Sequence, residues 1–285
     1  MATIELASKY AELVDEKFST ESKSDLLTNQ NYKWDGVKSV KVYKISTSNM
    51  YDYDRQGEGK YNSKSYYGEV QPLDATTQEM TLSQDRSFTF VIDRLDEEET
   101  GDALGAAKAL ERQLREVAIP EFDSYILQKI CNGAGIKAKA KALTVENIAT
   151  EILTATNAMD NKEVPEAGRV LVVTPDIYFL MKQCKEIVMN TDVGNDMRLR
   201  GVISSLDGMT IMKVPAARLP KNFGFMVVHP AATVAPRKLS DYVVHDNPPG
   251  INGFLVEGRL AYDAFVLDNK KDAIYYQPTT TVATE

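Results

Sequence analysis

Histidine is nearly missing from this 285-residue chain, which has only His229 and His245. A histidine-built metal site would need carboxylates from elsewhere. His229 closes a strand before Pro230 and reads as a hydrogen-bonded structural residue. His245 lies in a loop-like stretch and reads as solvated. Cysteine is as scarce: Cys131 and Cys184 are far apart and outside any Cys-x-x-Cys pair. That excludes a disulfide framework and the common thiolate zinc site, leaving two reduced core side chains. No run approaches the roughly 18 apolar residues of a membrane span, so no membrane partner is expected. The opening MATIELASKYAELVDEKF lacks a basic stretch followed by an apolar one and does not read as a secretory signal. Synthesis in a reducing cytoplasm is the expectation.

Positive charge is also in deficit. Lysine and arginine number 33 against 41 acidic residues, a formal net charge of -8. Gripping nucleic acid needs a basic face that displaces counterions from phosphates. The balance therefore argues against a nucleic-acid reader, while a container whose wall need not hold the strand remains open.

Reactive motifs are missing too. There is no Gly-x-Ser-x-Gly elbow, and Gly57-Glu58-Gly59-Lys60 runs into Tyr61 without phosphate-loop spacing. Asn132-Gly133-Ala134-Gly135 follows a helical pattern, not a strand, and reads as a helix stop. The acidic run Asp96–Glu99 is more simply the exposed start of a helix. No catalytic residue, cofactor site or metal site is expected.

What is present is pattern. Leu6, Tyr10, Leu13, Val14 and Phe18 share one face of an amphipathic helix, which is too short to stand alone and needs a surface to lie on. Residues 37–45 (VKSVKVYKI) read as a strand. Five tyrosines then gather in a polar stretch: Tyr51, Tyr53, Tyr61, Tyr66 and Tyr67. From residue 80 to 93 the apolar residues Met80, Leu82, Phe88, Phe90 and Ile92 occupy even positions among polar odd ones. That is the period of a strand with one apolar face. With the polar stretch before it, the segment predicts a long hairpin leaving the body, whose apolar stripe must meet something.

Leu104, Ala107, Leu110, Leu114, Val117, Phe122, Tyr125, Ile126 and Ile130 then predict a helix over 102–131, about 43 Å long. Pro120 should kink or split it. Thr144 reads as the cap of a second helix carrying Ile148, Ile152, Ala155 and Met159, with Leu143 and Ile148 as a staple. Residues 169–174 (RVLVVT) read as a buried strand. Thr174-Pro175-Asp176 opens a helix with a cap, a first-turn proline and an acid on the dipole. Short strands at 210–214 and 225–229 complete a compact α/β region. Residues 254–276 return to aromatic-rich strand and are expected to close back on the long helix.

Three of these segments, in this order, resemble the Hong Kong 97-like major capsid proteins of tailed bacteriophages. Residues 46–94, including YYGEVQPLDATTQEMTLSQDRSFTFVIDRLD, are similar to the extended E-loop of that family. Residues 95–131, starting DEEETGDALGAAKALE, are similar to its spine helix. GRLAYDAFVLDNKKDAIYY is similar to its closing strands, and between the second and third of these segments RVLVVTPDIYFLMKQ through VVHPAATVAPRKL resembles its axial domain. The resemblance implies an α+β fold in this order: N-arm and first strand at 1–45, E-loop at 46–94, peripheral domain with spine helix at 95–168. An axial domain at 169–253 and a return to the peripheral domain with a tail at 254–285 would follow.

It further implies a non-enzymatic shell subunit of a phage or prophage, made in the bacterial host cytoplasm and ending in the virion. The subunit would assemble with itself into pentamers and hexamers around double-stranded DNA, without sequence-specific contact. Scaffolding protein, portal and maturation protease are the further partners implied. Some members carry a long N-terminal scaffolding segment, whereas here the arm starts almost at Met1. Others cross-link an E-loop lysine to a neighbour's asparagine; Lys60 and Lys64 lie in that loop, but no asparagine or catalytic acid can be matched, and two solvated lysines are the simpler reading. The residues expected at subunit interfaces are Leu6, Tyr10, Leu13, Phe18, Tyr66, Tyr67, Met80, Leu82, Phe88 and Phe90. An encapsulin-like compartment holding cargo enzymes is the alternative within the same fold. An α/β ligand binder or enzyme, using Thr174, Asp176 and His229 at strand ends, is the rival from another class.

Overall fold

The computed structural model describes residues 22–29, 39–45, 49–55, 66–69, 75–99, 105–184, 187 and 205–280. In chain order the strands are β1 (Ser39–Ile45), β2 (Ala75–Thr81), β3 (Gln84–Asp93), β4 (Ile136–Lys137), β5 (Val170–Val173) and β6 (Ser205–Leu206). After these come β7 (Met209–Lys213), β8 (Phe223–Val228), β9 (Thr233–Val234), β10 (Arg237–Asp246), β11 (Gly253–Tyr262), β12 (Phe265–Val266) and β13 (Ile274–Pro278). The α-helices are α1 (Arg94–Glu99), α2 (Ala106–Gln113), α3 (Ile119–Gly133), α4 (Ile148–Asp160) and α5 (Pro175–Gln183). The chain forms two units, residues 37–81 and the remainder.

In the larger unit, the wholly apolar run of β5 is buried on both faces because it lies inside a six-stranded sheet ordered β4-β13-β8-β5-β7-β6. The two-residue period of strands sorts its side chains. Val170, Val172, Met226, Val228 and Ile274 face a core that includes Ile126, Ile130 and Cys131 of α3. Leu171, Val173, Phe225, Val227 and Tyr275 face the opposite core, closed by Ile148, Ile152, Ala155 and Met159 of α4 and by Ile177 and Met181 of α5. Thr174 caps α5 as its sequence predicts, accepting the Ile177 backbone N–H at 3.2 Å with Pro175 in the first turn. Both cysteines are free thiols in these cores, and burial pushes the Cys131 thiol up to about 12.

Four sequence expectations meet a different structure. The alternating stretch 80–93 is not one strand. It breaks at Leu82-Ser83, so that β2 pairs antiparallel with β1, Ser39 opposite Thr81 through Ile45 opposite Ala75. The second half, β3, instead joins β10 and β11 in a three-stranded sheet ordered β10-β11-β3. Second, α4 begins at Ile148 with Asn147 at its cap, because Asn147 Oδ1 takes the Thr144 backbone N–H at 2.8 Å and closes a turn before the helix. Third, the closing segment divides: β11 pairs with β3, while β13 enters the six-stranded sheet between β4 and β8.

The fourth difference is in the long helix. It runs from Ala106 to Gly133 without a break at Pro120, through a π-helical segment, Leu114–Ala118. There the Ile119 backbone N–H bonds to the carbonyl of Leu114, five residues back. The wider turn holds one extra residue just before Pro120, which has no N–H to give to a regular ladder. It also moves the buried stripe. Leu110, Leu114, Ile119, Phe122 and Ile126 are buried, whereas Val117, expected on the core face, is 48% exposed. Leu6, Tyr10, Leu13 and Phe18, with Lys60 and Lys64, lie outside the described residues.

Candidate subunit-contact surfaces

Phe88 and Phe90 are half-buried on the inner face of the three-stranded sheet, their rings 6.1 Å apart and stacked. Phe88 also meets Tyr242 of β10 at 6.0 Å. Beneath Phe88 sits Gly258, directly opposite it on β11. A Cβ at that position would stand 2.5 Å from the Phe88 ring, so the glycine supplies the room the ring occupies. Both phenylalanines thus pack against their own core, the cluster that also holds Leu110 and Leu114 of the long helix, while keeping an open edge. The other face of β3 leaves Val91 about half exposed. Met80 on β2 is fully buried and Leu82 is half-buried.

The smaller unit carries the tyrosines. Tyr53 stacks with Tyr66 at 6.3 Å and meets Tyr67 edge-on at 5.1 Å. The Asp54 backbone N–H donates to the Tyr66 carbonyl at 2.9 Å and fixes the two chain segments together. Gly68 closes the turn at φ +99°, and a Cβ there would run into the Tyr51 ring. The cluster remains outward: Tyr67 is 79% exposed, Tyr53 and Tyr66 about half, and neighbouring Met50 almost completely. Tyrosine presents a large rigid apolar area with a polar tip, the composition that interface centres favour. Tyr66 and Tyr67 were foreseeable from the crowding of tyrosines. Tyr53 joins them only once the turn is closed.

Further exposed apolar residues lie on helices of the larger unit, Leu153 on α4 and Phe179 on α5. Sequence periodicity hides them, because each helix already has a complete buried stripe on its other side.

A different kind of site sits at the start of α3. Asp123 is fully buried, and its carboxylate accepts hydrogen bonds from Ser22 Oγ (2.8 Å), the Lys23 backbone N–H (3.0 Å), and both the N–H (3.2 Å) and Oγ (2.8 Å) of Ser24. Arg218 pairs at 3.0 Å with Oδ2, the oxygen that also takes the Lys23 N–H. Next to it Asp25 pairs with Arg237 at 3.2 Å, and burial holds the Asp25 carboxyl above the usual aspartate range against the pull of that arginine. Nothing in the sequence marks Asp123, since an aspartate in a helix is usually solvated.

Of the residues of the enzyme reading, Thr174 and His229 are engaged in structure, and Asp176 is exposed in the first turn of α5. Thr174 is the cap already described. His229 Nδ1 accepts the Ala231 backbone N–H at 3.2 Å, and Nε2 lies 3.1 Å from the Ala167 carbonyl, which fixes the tautomer with hydrogen on Nε2. His245 lies on the surface 3.3 Å from Glu257. Among the described residues no three His, Cys, Asp or Glu side chains gather as a metal site, and no helix is long and apolar enough to cross a membrane.

No protein-family profile matches the chain, and no curated protein matches it by sequence. Its fold does match solved structures. One from Mycobacterium phage Che8 superposes with a TM-score of 0.69 at 17% identity, covering 88% of this chain and 89% of that one. The capsid structure of the cyanophage P-SCSP1u gives 0.66 at 16% identity, over 90% and 86%. A virus-like particle from Pyrococcus furiosus gives 0.57 at 13% identity, over 96% and 99%. The chain therefore has, over nearly its whole length, a mixed α and β fold found in phage capsids. That same fold occurs in a virus-like particle.

Proposed function

We propose that this chain is the major capsid protein of a tailed phage or prophage, a subunit that assembles with itself into a closed shell around double-stranded DNA. The observation that carries the proposal is the shared fold along about nine-tenths of both chains. Under this reading the architecture is the Hong Kong 97-like one: N-arm and first strand at 1–45, E-loop at 46–94, peripheral domain with its spine helix at 95–168, axial domain at 169–253, and return with tail at 254–285. Subunits meet as pentamers and hexamers, with the outward tyrosines of the smaller unit and the half-open Phe88 and Phe90 among the contacts. Scaffolding protein, portal and maturation protease act with it, and the finished protein resides in the virion after synthesis in the host cytoplasm. DNA is enclosed without base-specific contact, in keeping with a net charge of -8.

A second reading is an encapsulin-like compartment, favoured by the match to the Pyrococcus furiosus particle over 99% of that chain. Negative-stain electron microscopy with light scattering tests both readings at once. Closed shells, rings of five or six, or tubes are expected from the purified chain, alone or with its scaffold. A monomer that stays single when concentrated with scaffold would overturn them. DNA inside particles isolated from the producing cell selects the phage reading, and a protein cargo selects the compartment.

A further inference from the structure

The described ties of residues 22–29 to the body are mostly polar, and most of those meet at two points. One is the Asp123 carboxylate, with its four bonds from Ser22, Lys23 and Ser24. The other is Thr233, whose hydroxyl donates to the Leu27 carbonyl and whose own carbonyl accepts the Asn29 N–H at 2.8 Å. The Asp25–Arg237 pair lies between them. Only Leu27 contributes a buried large apolar side chain; adjacent Leu26 is 64% exposed.

We propose that residues 22–29 are a clasp, locked by Asp123, that opens and closes as one unit while the body stays folded. The physical case has two parts. Four bonds on one buried carboxylate are mutually dependent, because losing any donor leaves a buried charge less compensated and weakens the hold on the rest. A segment with many polar ties and one buried apolar side chain has little burial to link its opening to that of the whole core, and belongs at the low end of local opening free energies. Arg218 stays with Asp123 when the clasp leaves, so the helix is not left with an unpaired charge. Opening frees eight residues, about 27 Å of extended chain, for whatever precedes them. In the shell reading above, that length sets how far the amphipathic segment 6–18 reaches towards a neighbouring copy. The clasp itself stands whether or not shells form.

Hydrogen exchange read by mass spectrometry on the full chain tests the clasp. In the wild type, the amides of Lys23, Ser24, Leu27 and Asn29 are expected to exchange at one common rate, faster than those of Phe122–Cys131. Asp123→Asn is nearly isosteric but turns amide hydrogens towards the donors. It is expected to speed those four amides at least ten-fold and leave the helix and the six-stranded sheet unchanged. Thr233→Val, which leaves α3 untouched, is expected to speed the same set. Unchanged protection of 22–29 in both variants would overturn the proposal. So would loss of protection in α3 together with 22–29 in the Thr233→Val chain, since the segment would then be part of the core and not a separable clasp.

Discussion

Tyr125 donates its phenolic hydrogen to Asp263 across 2.9 Å, though 138 residues separate them. The buried Asp263 carboxylate also accepts the backbone N–H of Ser83 at 3.0 Å and of Ala264 at 2.7 Å. One side chain thus fixes α3, the approach to β3 and the end of β11. Asp263→Ala leaves two backbone donors without their acceptor and is expected to cost about 3 kcal/mol in urea unfolding. Tyr125→Phe removes one donor and is expected to cost about 1 kcal/mol. Equal losses from the two would mean that the backbone bonds carry no weight.

Gly258 and Phe88 form a second pair to test. Gly258→Ala places a methyl group against the Phe88 ring and is expected to destabilise the chain by about 1–3 kcal/mol. Adding Phe88→Ala removes the closer of the two ring clashes and leaves Tyr242 Cδ1 at 2.8 Å, so the double variant should be more stable than the sum of the two single losses implies. Simple additivity would show that the strand yields instead of the ring.

Asp25 gives a pH dependence of definite sign. Burial raises its carboxyl pKa in the folded chain above the ordinary 3.8. The folded state therefore holds a proton on Asp25 where the unfolded state does not, so this group's contribution to stability grows as pH falls through the raised value and levels off below 3.8. Asp25→Asn cannot titrate. Wild type is expected to gain on Asp25→Asn between pH 7 and pH 4 when both are unfolded in urea. A difference that stays flat or reverses contradicts the assignment.

The tyrosine cluster separates folding from assembly. Replacing Tyr53, Tyr66 and Tyr67 together by serine removes rings that are half or more exposed and pack on one another. The circular dichroism spectrum should be unchanged, while the yield of closed shells seen by electron microscopy should fall at least ten-fold. Shells at the normal yield would take this loop out of the interface.

Much of this fold could be read in advance, and the boundary between what could and could not is physical. Thr174-Pro175-Asp176 specifies the start of α5 through three adjacent residues, so it needs no tertiary knowledge. The buried run Val170–Val173 and the stripe on α4 are equally local. The break at Leu82-Ser83 is different, because apolar residues recur at even positions on both sides of it, Met80 and Leu82 before and Phe88, Phe90 and Ile92 after, while the partner strands lie at 39–45 and 253–262. Nothing within the stretch says that its halves choose different partners. Asp123 was invisible for the same reason: its burial is supplied by Ser22, Ser24 and Arg218, each about a hundred residues away. The contact surfaces were half legible, since a crowd of tyrosines points outward, but which rings meet depends on a turn closed around Gly68.

The wide turn at Leu114–Ala118 behaves like a dislocation in a crystal: one surplus residue is absorbed in a single place, and order is regular on both sides. Leu114 and Ile119 are five apart and both buried, a spacing that an ordinary helix would throw about 140° out of phase. Removing one residue from 115–118 would therefore heal the fault, bringing the spacing to four and leaving both halves in step. The same removal within Phe122–Cys131 would swing everything beyond it by about 100° and turn its apolar side to water. What keeps the fault in place is Pro120, whose ring would press on the preceding turn of a healed helix at about 3 kcal/mol. Length change in this helix is thus permitted at one address, and only in company with replacement of that proline.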